Sequence, residues 1–379
     1  MAGLYIHIPF CKRRCVYCDF YSNTDMSLKN QYVEALACEI RTRRDEFLKE
    51  PVTTLYFGGG TPSQLDESDF VRIFNVISEV CSPSDWKEVT IEANPDDLSL
   101  DYIRMLKRFP FNRISIGVQS FFDADLSFLN RRHTAAQAIE AVRNCRAAGL
   151  DNISIDLMYG LPGQTIEQWN ENLSVALHLK PRHLSCYHLT YEEGTTLYER
   201  LRTGQIREVN EEDSVAMFSL LIDRLREAGY EHYEISNFAL AGFRSQHNSS
   251  YWHDKPYIGI GASAHSYNRQ SRQWNVSDIR EYIRQARIGE FNPEKEIIDE
   301  DTRYNDVVIT ALRTSEGLSL LRLEHCFGKE RTEYCLEQAK PFIASGKLIL
   351  ENGNIRLSRS GIFVSDSIMS SLMFVDDKD

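Results

Sequence analysis

Short runs of β-branched and aromatic residues alternate along most of this chain with longer stretches of helical period, and that alternation restricts the fold more than any other feature. The runs are Leu4–Ile8, Thr53–Phe57, Glu88–Glu92, Arg113–Val118, Asn152–Leu157 and His183–Leu189. Each precedes a stretch whose apolar residues recur every three to four positions, clearest over Leu28–Leu48, Phe70–Val80, Ala135–Ala148, Ile166–Leu179 and Glu212–Ala228. In the last of these Val215, Phe218, Leu221, Ile222 and Leu225 form one stripe, and Gly229 stands where a left-handed glycine would end the helix. Six consecutive strand–helix units predict a parallel sheet with right-handed crossovers, open or curled toward a barrel.

Beyond about residue 240 the pattern changes. A segment rich in glycine and aromatics, "HNSSYWHDKPYIGIGASAHSY", leads to helical stretches from Asp278 onward. The tail predicts helices near Tyr304–Arg313, Ser319–Cys326 and Glu330–Ser345, then short strands over Lys347–Leu350 and Asn354–Leu357 joined through Glu351, Asn352 and Gly353. At 379 residues the chain exceeds one ordinary core. The expected organisation is a strand–helix unit over 1–240, a connecting segment over 241–300, and a small winged-helix-like domain, mainly helical, over 301–379.

Charge and cysteine usage narrow the partners. The net charge of −12 and the lack of a basic stripe on the tail oppose a nucleic-acid footprint, which needs clustered Lys and Arg to displace counterions. The one dense basic run, Arg41–Arg44, reads as a solvated helix face, and the tail is expected to serve protein contact or act as a lid. No apolar run approaches the roughly 20 residues that cross a bilayer, and the N-terminus has neither a basic n-region nor a cleavage site. The chain is therefore read as cytoplasmic, with peripheral membrane contact and a homodimer left open. Nine cysteines at irregular spacing in a reducing compartment do not make a disulfide framework.

In parallel α/β folds the site collects at the carboxyl ends of the strands. The first expected strand runs into Cys11, Cys15 and Cys18; the second into Gly58, Gly59, Gly60 and Thr61; the third ends in Glu92 and Asn94; the fourth in Gln119; the fifth carries Asp156; the sixth ends near His188. Each has a plain reading on its own: a buried cysteine stripe, a tight turn, a surface acid, a buried acid paired with backbone. Pro9 makes a poor start for a helix, however, and a short loop with this spacing can wrap thiolates around a compact cluster. Lys12, Arg13 and Arg14 favour the thiolate form that a metal requires. Iron–sulfur cubanes usually take four cysteines, so three local ones imply a distant fourth or an iron left open. The other six cysteines are read as plain thiols.

With these residues in place the chain resembles the radical S-adenosylmethionine (SAM) proteins. Its "YIHIPFC", "GVQSF", "LNRRHT" and "HNSSYW" segments are similar to the anaerobic coproporphyrinogen III oxidase group, and within it to the HemW-type haem chaperones. The resemblance implies a partial (β/α)6 radical SAM barrel. It also implies a [4Fe–4S] cluster on Cys11, Cys15 and Cys18 whose fourth iron is chelated by SAM, so that the missing thiol is the cofactor's seat. By the same resemblance Tyr5, Gly59, Gly60, Thr61, Glu92, Gln119, Arg131 and Asp156 are the expected SAM contacts.

One departure bears on activity. The oxidases of that group carry a further cysteine two positions beyond the third ligand, and Phe20 stands there in this chain. The chaperone branch has instead a histidine in H-N-x-x-Y-W, here His247, Asn248, Tyr251 and Trp252, which makes His247 the candidate haem ligand. His247 alone would read as an exposed loop histidine. The resemblance thus implies a protein that binds haem and hands it to an apo-haemoprotein, with cluster and SAM in support, rather than a coproporphyrinogen oxidase; if it is an enzyme, the resemblance implies a radical SAM oxidoreductase. Oxidative decarboxylation of coproporphyrinogen III is the alternative, and radical chemistry on RNA the least compatible with the charge.

Overall fold

The computed structural model describes residues 2–375. Residue 1 and residues 376–379, at the outer ends of the first and last expected units, lie outside the described residues. The six expected strands form where the alternation puts them: β1 (Ala2–Ile8), β2 (Val52–Gly59), β3 (Glu88–Ala93), β4 (Arg113–Gln119), β5 (Ile153–Tyr159) and β6 (His183–His188), all parallel. Side chains alternate across a strand. One face accordingly carries Leu4, Ile6, Leu55, Phe57, Ile91, Ile116 and Ile155, which pack beneath the helices as the main core. The other face carries Tyr5, Tyr56, Glu92, Ser115 and Asp156, brought side by side by the register Tyr5–Tyr56, Glu92–Ser115 and Gly117–Asp156. A polar interior is therefore built into strands that read as apolar runs.

The sheet is larger than six strands. β7 (Glu231–Glu234) and β8 (Asn237–Ala239) add antiparallel beyond β6, and β9 (Tyr257–Ile260) pairs in parallel with β1 on the opposite side. β10 (His265–Tyr267), β11 (Ser271–Trp274) and β12 (Glu294–Ile297) follow antiparallel, giving a 12-stranded sheet of order β12-β11-β10-β9-β1-β2-β3-β4-β5-β6-β8-β7. The stretch 241–300, expected as a connection, contributes four of these strands. Its strand signal is weak because the strands are short and β9 carries a glycine. That glycine is required by close approach, since a Cβ on Gly259 would lie 2.0 Å from the carbonyl oxygen of His265.

The helices follow the expected periodicity with three corrections. The stretch Leu28–Leu48 breaks at Arg43 into helices Lys29–Thr42 and Arg44–Phe47. Arg43 is buried rather than solvated: its guanidinium donates to Glu39, Glu46 and the Gly259 carbonyl (2.7 Å), fastening the helix to β9. In helix Glu211–Glu227 the buried stripe is Met217, Leu221, Ile222 and Leu225, whereas Val215 is 40% exposed. Gly229 does take the left-handed conformation past that helix, at φ 85°.

The C-terminal region is mainly helical and has its own core, centred on Tyr304, Val308, Leu323, Ile355 and Ile368. Helices Glu300–Leu312 and Leu320–Ala344, the second interrupted at Gly328, pack on a sheet of β13 (Leu318–Ser319), β15 (Asn354–Leu357) and β14 (Leu348–Glu351). The β14–β15 hairpin is the expected wing, and β13 is too short to be seen in sequence. Among the described residues no helix is long and apolar enough to cross a membrane.

Candidate functional site

The loop after β1 is held from three sides. The amide of Cys11 donates to the Asn23 carbonyl (3.0 Å), the amide of Val16 to the Leu129 carbonyl (3.3 Å), and the amide of Leu197 to the Val16 carbonyl (2.9 Å). Val16 sits between the second and third cysteines and plugs a small core with Leu129, Met158, Leu161, Leu189 and Leu197. Asn130, at φ 60°, donates from Nδ2 to the Arg14 carbonyl at 2.8 Å. Sequence reasoning missed both anchors. The signal available was "LNRRHT", which the structure resolves into a clamp: Asn130 holds the loop, Arg131 reaches Cys15, Arg132 pairs Asp96 (2.8 Å) and Asp97 (3.1 Å), and His133 bonds the Val118 carbonyl (3.0 Å).

The first of the three thiols faces the turn after β2. Cys11 Sγ lies 3.3 Å from Thr61 Oγ1, which also accepts from Asn94 Nδ2 at 3.3 Å. Gly60 permits this approach, because a Cβ there would stand 2.8 Å from the backbone of Pro9. Cys15 and Cys18 line a cavity of about 380 Å³ together with Arg14, Asn130 and Arg200. Burial raises the Cys11 pKa, with Thr61 opposing it, and pushes Cys18 up to about 11, so both thiols wait for a positive centre to take their protons' place. Among the described residues no three His, Cys, Asp or Glu side chains converge enough to hold one metal ion. A cubane takes each thiolate on its own iron and needs no such convergence. Arg131 Nε, beside Cys15, is buried without a partner. The donor set of three soft thiols beside an incompletely paired guanidinium fits a cluster carrying an anionic ligand.

Deeper in the interior, Tyr56 OH donates to Glu92 Oε1 at 2.7 Å and the Gly59 amide to Glu92 Oε2 at 3.2 Å. Ser115 Oγ donates to Asp156 at 3.1 Å. Burial raises both acids, Glu92 to about 7, where the Asp156 carboxylate adds to the rise, while Ser185 and Ser115 oppose it at Asp156. Tyr5 OH bonds His7 Nδ1 at 3.0 Å, and Gln119 sits at φ 67° just past a bulge in β4. Tyr5, Gly59, Gly60, Thr61, Glu92, Arg131 and Asp156 thus converge on one mouth and its interior wall. His188 turns toward Ser214 instead (3.2 Å). Arg113, buried on the same face of β4 with Nε and Nη1 unpaired, is the interior cation that sequence reasoning overlooked.

His247 is not the exposed loop histidine that its position alone suggests. It lies on helix Gln246–Trp252, is 0% exposed, and stacks on Tyr56 at a ring separation of 5.1 Å. Nδ1 bonds Thr54 Oγ1 and Nε2 bonds Tyr251 OH, each at 2.9 Å, so both ring nitrogens are hydrogen-bonded within the fold. Burial and the nearby Arg113 hold its pKa at about 3. The helix itself is tied down by Glu88, which accepts from the amides of Gln246 and His247 (2.9 Å each).

Against known proteins, residues 5–176 match the Radical SAM superfamily and residues 298–364 the HemN C-terminal domain. The chain is 33% identical over 372 residues to the heme chaperone HemW of Lactococcus lactis subsp. lactis (strain IL1403), spanning 98% of this chain and 97% of that one. It is 34% identical over 371 residues to the heme chaperone HemW of Bacillus subtilis (strain 168), with 96% and 95% covered. A Mus musculus protein, radical S-adenosyl methionine domain-containing protein 1, mitochondrial, is 32% identical over 98% of this chain and 87% of its own length. Coproporphyrinogen III oxidase (HemN) from Escherichia coli superimposes with a TM-score of 0.85 over 98% of this chain and 90% of that one, at 24% identity, which shows a shared fold.

Proposed function

The chain belongs to the HemW family of the radical SAM superfamily, and from that premise we propose that it binds haem and passes it to an apo-haemoprotein. The observation that carries this reading is full-length relatedness to proteins named as haem chaperones; Phe20, which stands where the resemblance implies a cysteine in the oxidases, agrees with it. Phe20 is 65% exposed beside the loop, so it adds no ligand and closes no cavity.

The superfamily brings a [4Fe–4S] cluster and SAM. In this proposal Cys11, Cys15 and Cys18 hold the cluster, and when bound the pair supplies one-electron chemistry at the open iron. The chain's own residues would do the rest. Gly59 and Gly60 let backbone polar groups approach an amino acid head group, and Arg131 pairs a carboxylate next to Cys15. Asp156, Glu92 and Tyr5 offer hydroxyl-binding groups along the wall, and Thr61 and Gln119 border the mouth. The buried acids suit a ligand with hydroxyls and a cationic centre, because such a ligand returns the hydrogen bonds and charge that burial removes.

The test is a single assay with two readouts. Reduced, cluster-loaded protein is given SAM and coproporphyrinogen III without oxygen, and haem-loaded protein is mixed with an apo-haemoprotein. We expect no protoporphyrinogen in the first and haem transfer in the second. Sustained SAM-dependent turnover of coproporphyrinogen III would favour the oxidase reading and sink this one.

A further inference from the structure

We propose that haem docks by its propionate edge in the cleft between β7 and the C-terminal domain, an inference that rests on the haem-binding reading above. The cleft has a volume of about 360 Å³, within the range of small-molecule sites, roughly 300–1,000 Å³, and it is open to solvent on one side. It would take one edge of a porphyrin and leave the other for an acceptor.

Its floor is a backbone junction. The Ile235 amide donates to the Arg313 carbonyl (3.2 Å) and the Ser315 amide to the Tyr233 carbonyl (3.0 Å). Arg359 closes one end by pairing Asp223 of helix Glu211–Glu227, with one contact at 2.7 Å. Apolar walls come from both units, including Ile222 and Leu312, both buried, and Ile362.

Three arginines give the cleft its charge. Arg226, exposed near the end of its helix, makes no side-chain hydrogen bond or ion pair among the described residues. Among the described residues Arg356 is held by the exposed Glu351 alone, at 3.2 Å. Arg313 has a buried Nε without a partner, and its guanidinium lies 5.0 Å over the Trp252 ring. Of the two acids in the lining, Glu231 pairs Arg244 (3.0 Å), and Glu234 accepts from the Ser236 amide (3.1 Å) and from Asn237 while its charge also meets Arg313, which leaves Arg226 and Arg356 as the cations facing the opening. An apolar wall with arginines contributed by two units matches an apolar plate that carries two carboxylates. A small inorganic anion would leave the apolar walls wet. The segment whose histidine is sealed in the interior thus reaches this cleft through Trp252.

Haem is titrated into the full chain and followed by its Soret band, for the wild type and for the double variant Arg226→Glu/Arg356→Glu. Both side chains reach solvent, so the fold is retained, which a thermal melt checks; Arg226→Lys should keep most of the affinity. We expect the double variant to bind about tenfold more weakly or worse. Haem dimethyl ester, which lacks the carboxylates, should bind wild type and variant alike. Wild-type haem affinity in the double variant would overturn the location and leave the chaperone reading standing. Failure of the wild type to bind haem at all would overturn both.

Discussion

Arg131 and Cys15 are 116 positions apart in the chain, yet Arg131 Nη1 lies 3.4 Å from Cys15 Sγ. The other terminal nitrogen donates to Asn94 Oδ1 (2.7 Å) and the Gly117 carbonyl (2.5 Å). One guanidinium therefore joins the first, third and fourth strand ends. Arg131→Leu would leave these acceptors unpaired and should lower apo-protein stability by about 2 kcal/mol in urea unfolding. An unchanged midpoint would mean that water replaces the guanidinium at no cost.

Anaerobic reconstitution with iron and sulfide should give the broad absorption of a [4Fe–4S] cluster, abolished by Ala at Cys11, Cys15 or Cys18. Cys38→Ala and Cys326→Ala should leave it intact, since Cys38 donates to the Ala286 carbonyl and Cys326 packs on the C-terminal core, both away from the loop. A full cluster in the triple variant would show that the thiols have another purpose.

Asn130 combines a left-handed backbone with the tie to Arg14. Replacement by Gly keeps the first and loses the second; replacement by Ala loses both. Asn130→Ala should therefore be less stable than Asn130→Gly by about 1 kcal/mol. In both variants hydrogen exchange over residues 12–18 should quicken. Equal stabilities would remove backbone strain from the account.

His247→Ala empties a buried site and strands Thr54 Oγ1 and Tyr251 OH, a loss of about 3 kcal/mol at pH 8. The pH dependence has a defined sign. Below its ordinary value of 6.5 the unfolded imidazole binds a proton that the folded one, at about 3, refuses. The wild-type contribution is thus complete above 6.5 and declines as pH falls toward 3. His7, held at about 4 chiefly by burial, behaves likewise and remains in the variant. The stability gap between wild type and His247→Ala should narrow from pH 8 to pH 4. A gap independent of pH would contradict a neutral, sealed imidazole.

Glu92 works in the opposite direction. Its folded value near 7 lies above the ordinary 4.5, so the folded state holds the proton longer and stability falls as pH rises through this window. Glu92→Gln cannot ionise, and its stability relative to wild type should rise by about 2 kcal/mol between pH 5 and pH 8. A constant difference would place the charge of Glu92 outside the buried wall.

Much of this protein is written in local order. The six parallel strands and their helices follow from the switch in hydrophobic period, because burial of one face repeats with the geometry of each element whatever the neighbours are. The grouping of Cys11, Cys15 and Cys18 on one short loop after β1 is legible for the same reason, because it depends on spacing along the chain. What the sequence could not settle depends on groups distant in the chain. Arg43 reads as a solvated cation until Glu39, Glu46 and the Gly259 carbonyl surround it. His247, taken alone, reads as an exposed loop histidine until Thr54 and Tyr251 enclose its ring. The strand Tyr257–Ile260 reads as a linker until β1 supplies its hydrogen bonds. Periodicity reports which side of an element is buried, whereas the protonation and availability of a side chain depend on partners that only the folded chain brings within a few ångströms.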